Sequence, residues 1–163
     1  MNNKKALKYK IVDDIGYLSL SNPPGNEMNG DFFKLFNQYF NVIESNKDLK
    51  GLIIFSEGRH FSSGANISQL MDIFKDMETE IPEEIKNNFN SFTNLAELDI
   101  PVVSCIKGIC YGSAFELVLC SHFRIAAKNA LFSFPETGFS IIPGLGGIIH
   151  STQLIGKAES MKL

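Results

Sequence analysis

The chain has 163 residues, of which 44% are hydrophobic and 20% charged. This length and composition predict one globular domain, spanning residues 1–163, and exclude a disordered or collagen-like chain. Its net charge of −3 and the absence of a basic cluster longer than Lys4–Lys5 argue against a nucleic-acid partner. No apolar run reaches the ~20 residues of a membrane span, and Met1–Lys10 lacks the apolar stretch of a signal peptide, so we expect a cytoplasmic protein without a membrane partner.

The predicted elements alternate between strands and helices. Strands are predicted over Lys10–Val12, Tyr17–Leu20, Leu52–Phe55, Val102–Ile106, Phe123–Ala127 and Leu131–Ser133. Helices are predicted over Gly30–Glu44 with Asp31 near the cap, from about Asn66, over about Pro82–Leu98, over Ser113–Cys120 and after Gly147. The runs Leu52–Phe55 and Val102–Ile106 are typical of strands buried on both faces of a parallel sheet. The alternation predicts an α/β fold.

The histidines and cysteines do not predict a metal site. His60, His122 and His150 are scattered, and no C-x-x-C or H-x-x-x-H pair occurs. Gly108–Gly112 has the form G-x-C-x-G between a strand and a helix, which is the setting of a nucleophile elbow, with Glu136 and His150 following in chain order. A hydrolase that uses Cys110 as its nucleophile is therefore one alternative, and a small buried hydrophobic residue is the other interpretation of this cysteine.

Two loops of small residues follow the two apolar strands. Phe61–Asn66 comes after Leu52–Phe55, and Gly108–Leu117, with a second N–H donor near Ser113, comes after Val102–Ile106. Small residues allow a ligand to approach the backbone and leave N–H groups available as donors. Two such donors directed at one point would form an oxyanion hole that stabilises the enolate of a thioester.

Two glutamates lie in unusually apolar sequence. Glu116 stands between Phe115 and Leu117, and Glu136 follows Phe134 and Pro135. A glutamate in such surroundings is paired, caps a helix or loop, or is functional. Near a helix N-terminus, Glu116 is expected to be stabilised in its charged form, whereas Glu136 is expected to have a raised pKa.

These segments resemble the crotonase family of enoyl-CoA hydratases and isomerases, from about Tyr9 to the last residue. Four stretches are similar to family motifs in order: Asn22–Asn29 (NPPGNEMN), Phe61–Ile67 (FSSGANI), Pro101–Leu117 (PVVSCIKGICYGSAFEL) and Phe132–Gly147 (FSFPETGFSIIPGLGG). The resemblance implies a crotonase-like spiral of β-β-α units that holds an acyl-CoA, with no cofactor beyond the coenzyme A of the substrate. It also implies a homo-oligomer, a trimer or hexamer.

The resemblance assigns roles to individual positions. It implies Glu116 and Glu136 as catalytic carboxylates and the N–H groups of Ala65 and Ser113 as the oxyanion hole. The implied substrate-binding residues are Asn26, Gly64, Ala65, Asn66, Ile67, Ser68, Leu70, Gly112 and Ser113. The implied reaction adds water to a 2-enoyl-CoA to give a 3-hydroxyacyl-CoA, with an isomerase or other crotonase chemistry as the alternative.

The chain departs from the family pattern in four respects. Ser113 and Ala114 replace glycines that are usual in the family. Asn66 and His122 each stand at a position where the family commonly has Asp. Family members usually continue into C-terminal helices that close the acyl pocket and build the oligomer, and this sequence ends before them. We therefore expect uncovered apolar surface on Phe115, Ile141, Ile142, Ile148 and Ile149. A truncated acyl-CoA-binding or assembly protein with weak turnover is the third alternative.

Overall fold

A computed structural model of the chain describes residues 5–75 and 80–163. Seven strands are present: β1 Leu7–Val12, β2 Ile15–Leu20, β3 Gly51–Ser56, β4 Val102–Ile106, β5 Ile109–Tyr111, β6 Phe123–Ala126 and β7 Leu131–Ser133. The helices are α1 Gly30–Ser45, α2 Ile67–Lys75, α3 Glu83–Ala96, α4 Ser113–Leu119 and α5 Gly147–Ser160, with a 3-10 helix at Pro135–Phe139. The α/β fold is confirmed. Strand β5 and the 3-10 helix were not predicted, and part of the Met1–Lys10 segment lies outside the described residues.

The main sheet has the order β1-β2-β3-β4-β6. Strands β1 and β2 form an antiparallel hairpin, and β2, β3, β4 and β6 pair in parallel. The hairpin turns at Asp13 and Asp14, whose φ angles of 49° and 61° suit a tight two-residue turn that follows the twist of the strands. The short strands β5 and β7 form a separate parallel pair. The β3–α2 connection carries the first of the two segments predicted to bind the ligand, and the second runs from the β4–β5 turn through β5 into α4.

Helix α1 packs its aromatic face against α3 and the sheet. Phe32, Phe36 and Phe40 follow one another at helical spacing and are buried, and the ring of Phe36 meets that of Phe92 edge-on at 5.1 Å. The cap of α1 is Asn29, whose side chain accepts the Phe32 N–H at 3.0 Å, and Asp31 lies in the first turn, near the cap as predicted.

The prediction that β3 and β4 are buried on both faces was wrong for one face. Leu52, Ile54 and Val102 are fully buried, whereas Ile53 and Val103 on the opposite face are only half-buried. The same face continues onto β6, where Phe123 and Ile125 are exposed, because no layer among the described residues covers it.

The expected uncovered apolar residues divide into two groups. Ile142, Ile148 and Ile149 are exposed, as expected. Phe115 is buried because its ring stacks on that of Phe134 at 4.7 Å, so the expectation that Phe115 is uncovered was wrong. Ile141 is half-buried.

Candidate active site

The two predicted loops approach each other closely. Gly64 has a φ of +93°, and a Cβ at this position would lie 2.6 Å from the Tyr111 carbonyl oxygen. Only glycine satisfies both the left-handed backbone and this contact. The loop after β3 is therefore held directly against the residues that precede α4.

The backbone N–H groups of Ala65 and Ser113 are available as donors. On either side of Ala65, the Gly64 carbonyl accepts the Met28 N–H and the Asn66 N–H donates to the Met28 carbonyl, which turns the Ala65 N–H away from that bridge. Ser113 is the first residue of α4, where no intrahelical acceptor exists. Within residues 5–75 and 80–163, neither N–H has a hydrogen-bond acceptor.

Glu116 is fixed by the glycine-rich turn before α5. Its Oε1 accepts the N–H of Leu145 at 2.7 Å and that of Gly147 at 2.9 Å, and the residue is 2% exposed. A Cβ on Gly147 would lie 2.8 Å from Glu116 Cγ, so the turn can close over this carboxylate only with glycine there. The N–H groups at the start of α5 and in the turn before it thus bind the protein's own carboxylate.

The pKa of Glu116 is raised to about 7. Burial is the main cause, the charge of Glu136 adds to it, and the two N–H donors only partly oppose it. The expectation that Glu116 is stabilised in its charged form was therefore wrong, because desolvation outweighs both donors.

Glu136 lies on the 3-10 helix, and no other residue in the described part of the chain donates a hydrogen bond to its carboxyl group. It is 8% exposed, and its Oε2 is buried without a hydrogen-bond partner among the described residues. Gly112, with a φ of +54°, makes room for it, since a Cβ there would lie 2.8 Å from Glu136 Oε1. Burial raises the pKa of Glu136, which agrees with the expectation and favours the protonated acid.

These four groups meet in one cavity of about 390 Å³. Ala65, Ser113, Glu116 and Glu136 all line it, and its remaining wall is mainly apolar, with side chains from α1, α2 and α3. Two unpaired donors and two raised-pKa carboxylates in an apolar cavity can polarise a carbonyl and move protons beside it.

The predicted binding residues divide between this cavity and its support. Asn66, Ile67 and Leu70 line the cavity with Ala65 and Ser113. Asn26, Gly64, Ser68 and Gly112 do not. Asn26 is buried, and its Nδ2 donates to the carbonyls of Glu57 and His60, so it fastens the loop after β3.

Several cavity residues were not predicted. Leu145 lines the cavity and donates to Glu116 together with Gly147, which lies outside the lining, and the glycine-rich string Gly144–Gly147 was the only signal for both. Phe33, Ile85 and Asn88 come from α1 and α3, far away in sequence. No local pattern distinguishes a cavity-lining residue of an amphipathic helix from a core residue.

The structure explains two of the departures from the family pattern. Asn66 Oδ1 accepts the Gln69 N–H and its Nδ2 donates to Glu27 Oε2 at 3.0 Å, a bond that an aspartate could not donate. His122 accepts the Val102 N–H through Nδ1 and reaches the Ala96 carbonyl through Nε2 at 3.1 Å, which again requires a donor. Both residues are therefore suited to their local partners.

Cys110 is not placed as a nucleophile. It is 0% exposed, does not line the cavity, and burial raises the pKa of its thiol, which disfavours the thiolate. The structure supports the interpretation as a small buried hydrophobic residue.

Residues 5–75 and 80–163 contain neither a cluster of three or more potential metal ligands nor a helix long and apolar enough to cross a membrane.

The fold and cavity define a protein of crotonase architecture. A sequence profile for the enoyl-CoA hydratase/isomerase family matches residues 10–163, and the chain belongs to this family. It is 33% identical over 138 residues to the fatty acid oxidation complex subunit alpha of Psychrobacter cryohalolentis, covering 85% of this chain and 19% of that protein.

Solved structures share the fold. An enoyl-CoA hydratase of Thermoplasma volcanium matches with a TM-score of 0.79 and 24% identity over 98% of this chain and 63% of that one. One from Geobacillus kaustophilus matches with a TM-score of 0.85 and 22% identity over 99% of this chain and 61% of that one. The chain thus spans less than two thirds of the length of these relatives.

Proposed function

We propose that the chain carries the site of an enoyl-CoA hydratase, which adds water to a 2-enoyl-CoA to give a 3-hydroxyacyl-CoA. The observation that carries this proposal is the meeting of Glu116, Glu136 and the available N–H groups of Ala65 and Ser113 in one cavity. The coenzyme A belongs to the substrate, and the proposed chemistry uses no further cofactor.

In the proposed reaction, the N–H groups of Ala65 and Ser113 donate to the thioester carbonyl oxygen. They stabilise the negative charge that this oxygen gains as the water oxygen bonds to the β-carbon. Glu116 accepts the proton released by that water, and protonated Glu136 delivers a proton to the α-carbon. Exchange with solvent then restores both carboxyl groups.

The anchoring of Glu116 suits the role of base. Its Oε1 is occupied by the Leu145 and Gly147 N–H groups, which leaves Oε2 to hold the water. The unpartnered Oε2 of Glu136 and its raised pKa suit the role of acid. An isomerase needs only an acid/base of the Glu136 type, so the anchored Glu116 favours the hydratase.

The pKa directions predict how turnover depends on pH. Glu116 must be ionised to act as base, so kcat/KM should rise with pH through about 7. A wild-type profile with no rising limb in this range would contradict the assignment of Glu116 as base.

Loss of the enoyl-thioester absorbance on adding the protein tests the reaction itself. Glu116→Gln and Glu136→Gln should each slow turnover by ~10²–10⁴-fold with little change in binding of a saturated acyl-CoA. Glu44→Gln, an exposed glutamate on α1 that is remote from the cavity lining, is the matched control.

Three outcomes would contradict the hydratase assignment. Migration of the double bond without hydration would indicate an isomerase. Thiol alkylation that abolishes activity, with both glutamine variants active, would indicate chemistry at Cys110. Binding of acyl-CoA without turnover would support the truncated, non-catalytic alternative.

A further inference from the structure

A pair of side-chain amides interrupts the apolar wall of the cavity. Asn37 on α1 donates from Nδ2 to Oδ1 of Asn88 on α3 at 2.9 Å. Asn37 lies four residues after Phe33, and Asn88 lies three residues after Ile85, so each shares a helix face with an apolar cavity residue. The pair therefore lies where α1 and α3 together form the wall.

Asn88 presents hydrogen-bonding capacity to this cavity. The residue is 6% exposed and lines the cavity. Its Oδ1 is engaged by Asn37, whereas its Nδ2 makes no hydrogen bond within the described part of the chain and is not sealed from solvent. The buried polar atom of the pair that lacks a partner among the described residues is Oδ1 of Asn37, whereas the two amide hydrogens of Asn88 are open to an acceptor that enters the cavity.

A second, polar groove lies on the other side of the pair. This open groove of about 710 Å³ shares Asn29, Gly30, Gln69 and Glu84 with the cavity. Asn37 lines the groove and Asn88 lines the cavity, so their hydrogen bond stands at the boundary between the two. Six of the ten described residues that line the groove carry side-chain amides, which donate and accept hydrogen bonds, and its charged residues are Asp31, Lys34 and Glu84.

We propose that the Asn37–Asn88 pair recognises an uncharged oxygen, a hydroxyl or carbonyl, on the part of the acyl chain remote from the thioester. This inference rests on the proposed function and names its substrate class as acyl-CoA thioesters with a polar distal acyl group. A plain alkyl chain beside Asn88 would exclude water from its Nδ2 without replacing the lost hydrogen bonds. An oxygen at that place accepts hydrogen bonds from Nδ2 of Asn88, and the groove receives the rest of the polar acyl group.

Calorimetric binding of saturated acyl-CoA thioesters tests the proposal without depending on turnover. A straight-chain acyl-CoA and its ω-hydroxy counterpart are compared at matched length over a series of lengths. The wild type should bind the ω-hydroxy thioester at least ~10-fold more tightly at the length that reaches Asn88. Equal affinities at every length would overturn the inference while leaving acyl-CoA binding intact. If neither thioester bound, the proposed function would fail as well.

Paired variants separate recognition from a merely structural role. The double variant Asn37→Leu/Asn88→Leu replaces both amides, so neither is left without its partner. It should bind the alkyl thioester more tightly than the ω-hydroxy thioester, the reverse of the wild-type preference. Asn90→Leu, an exposed asparagine on α3 remote from both cavities, is the control and should keep the wild-type preference. A double variant that loses stability but keeps the preference for the ω-hydroxy thioester would show that the pair only joins α1 to α3. If the double variant does not fold, the wild-type comparison still decides.

Discussion

Removing the buried carboxylate of Glu116 should make the protein more stable at alkaline pH than the wild type. The pKa of Glu116 is raised from an ordinary value of 4.5 to about 7 in the folded protein. Below pH 4.5 the carboxyl is protonated in both states, so its favourable contribution is fully present. As the pH rises towards 7, the Glu116 carboxyl group ionises in the unfolded chain before it ionises in the folded protein, and its contribution to stability is progressively lost.

The size of the effect follows from the shift. One unit of pKa difference between the folded and unfolded states corresponds to about 1.4 kcal/mol. The free energy of unfolding of the wild type should therefore fall by about 3 kcal/mol relative to that of Glu116→Gln between about pH 4 and pH 8. Glutamine retains an oxygen that can accept the Leu145 and Gly147 N–H groups, so the substitution removes the charge and preserves the shape of the site.

Urea unfolding at a series of pH values measures this difference directly. The free energies of unfolding of wild type and Glu116→Gln should diverge as the pH rises, and Glu44→Gln should run parallel to the wild type. Parallel curves for wild type and Glu116→Gln, or a divergence of the opposite sign, would refute the argument that desolvation outweighs the two amide donors.

Three further predictions concern the support of the site and the open face of the sheet. Gly112→Ala should lower the free energy of unfolding by about 1–3 kcal/mol and abolish most of the turnover, because the φ of Gly112 is +54° and a Cβ there would lie 2.8 Å from Glu136 Oε1. Denaturation and a turnover assay check the two effects, and full activity of the variant would contradict the prediction. Asn66→Asp should destabilise the protein by about 1–2 kcal/mol by placing a carboxylate against Glu27, and adding Glu27→Gln should restore most of the loss in a double-mutant cycle. We expect the wild type to associate through the exposed apolar face of β6, so Phe123→Lys should lower the mass seen by light scattering, and a monodisperse wild-type monomer would contradict this.

Local sequence determined most of the framework. The spacing of Phe32, Phe36 and Phe40 predicted α1, and the apolar runs around Leu52 and Val102 predicted β3 and β4, because periodicity and β-branched composition are local properties. The resemblance of four ordered motifs predicted the family. Of the residues it selected, both glutamates, Ala65, Asn66, Ile67, Leu70 and Ser113 line one cavity, whereas Asn26, Gly64, Ser68 and Gly112 do not.

Tertiary structure alone decided the environment of those residues. Glu116 received its donors from Leu145 and Gly147, 29 and 31 residues further along the chain, and its pKa rose because burial, which no local window reports, outweighed them. The covering of a strand face depends in the same way on which elements pack above it, so the apolar run of β4 could not reveal that Val103 is left half-buried. The pairing of Asn37 with Asn88 joins helices 51 residues apart in sequence, and only the packing of α1 against α3 brings it to the wall of the cavity.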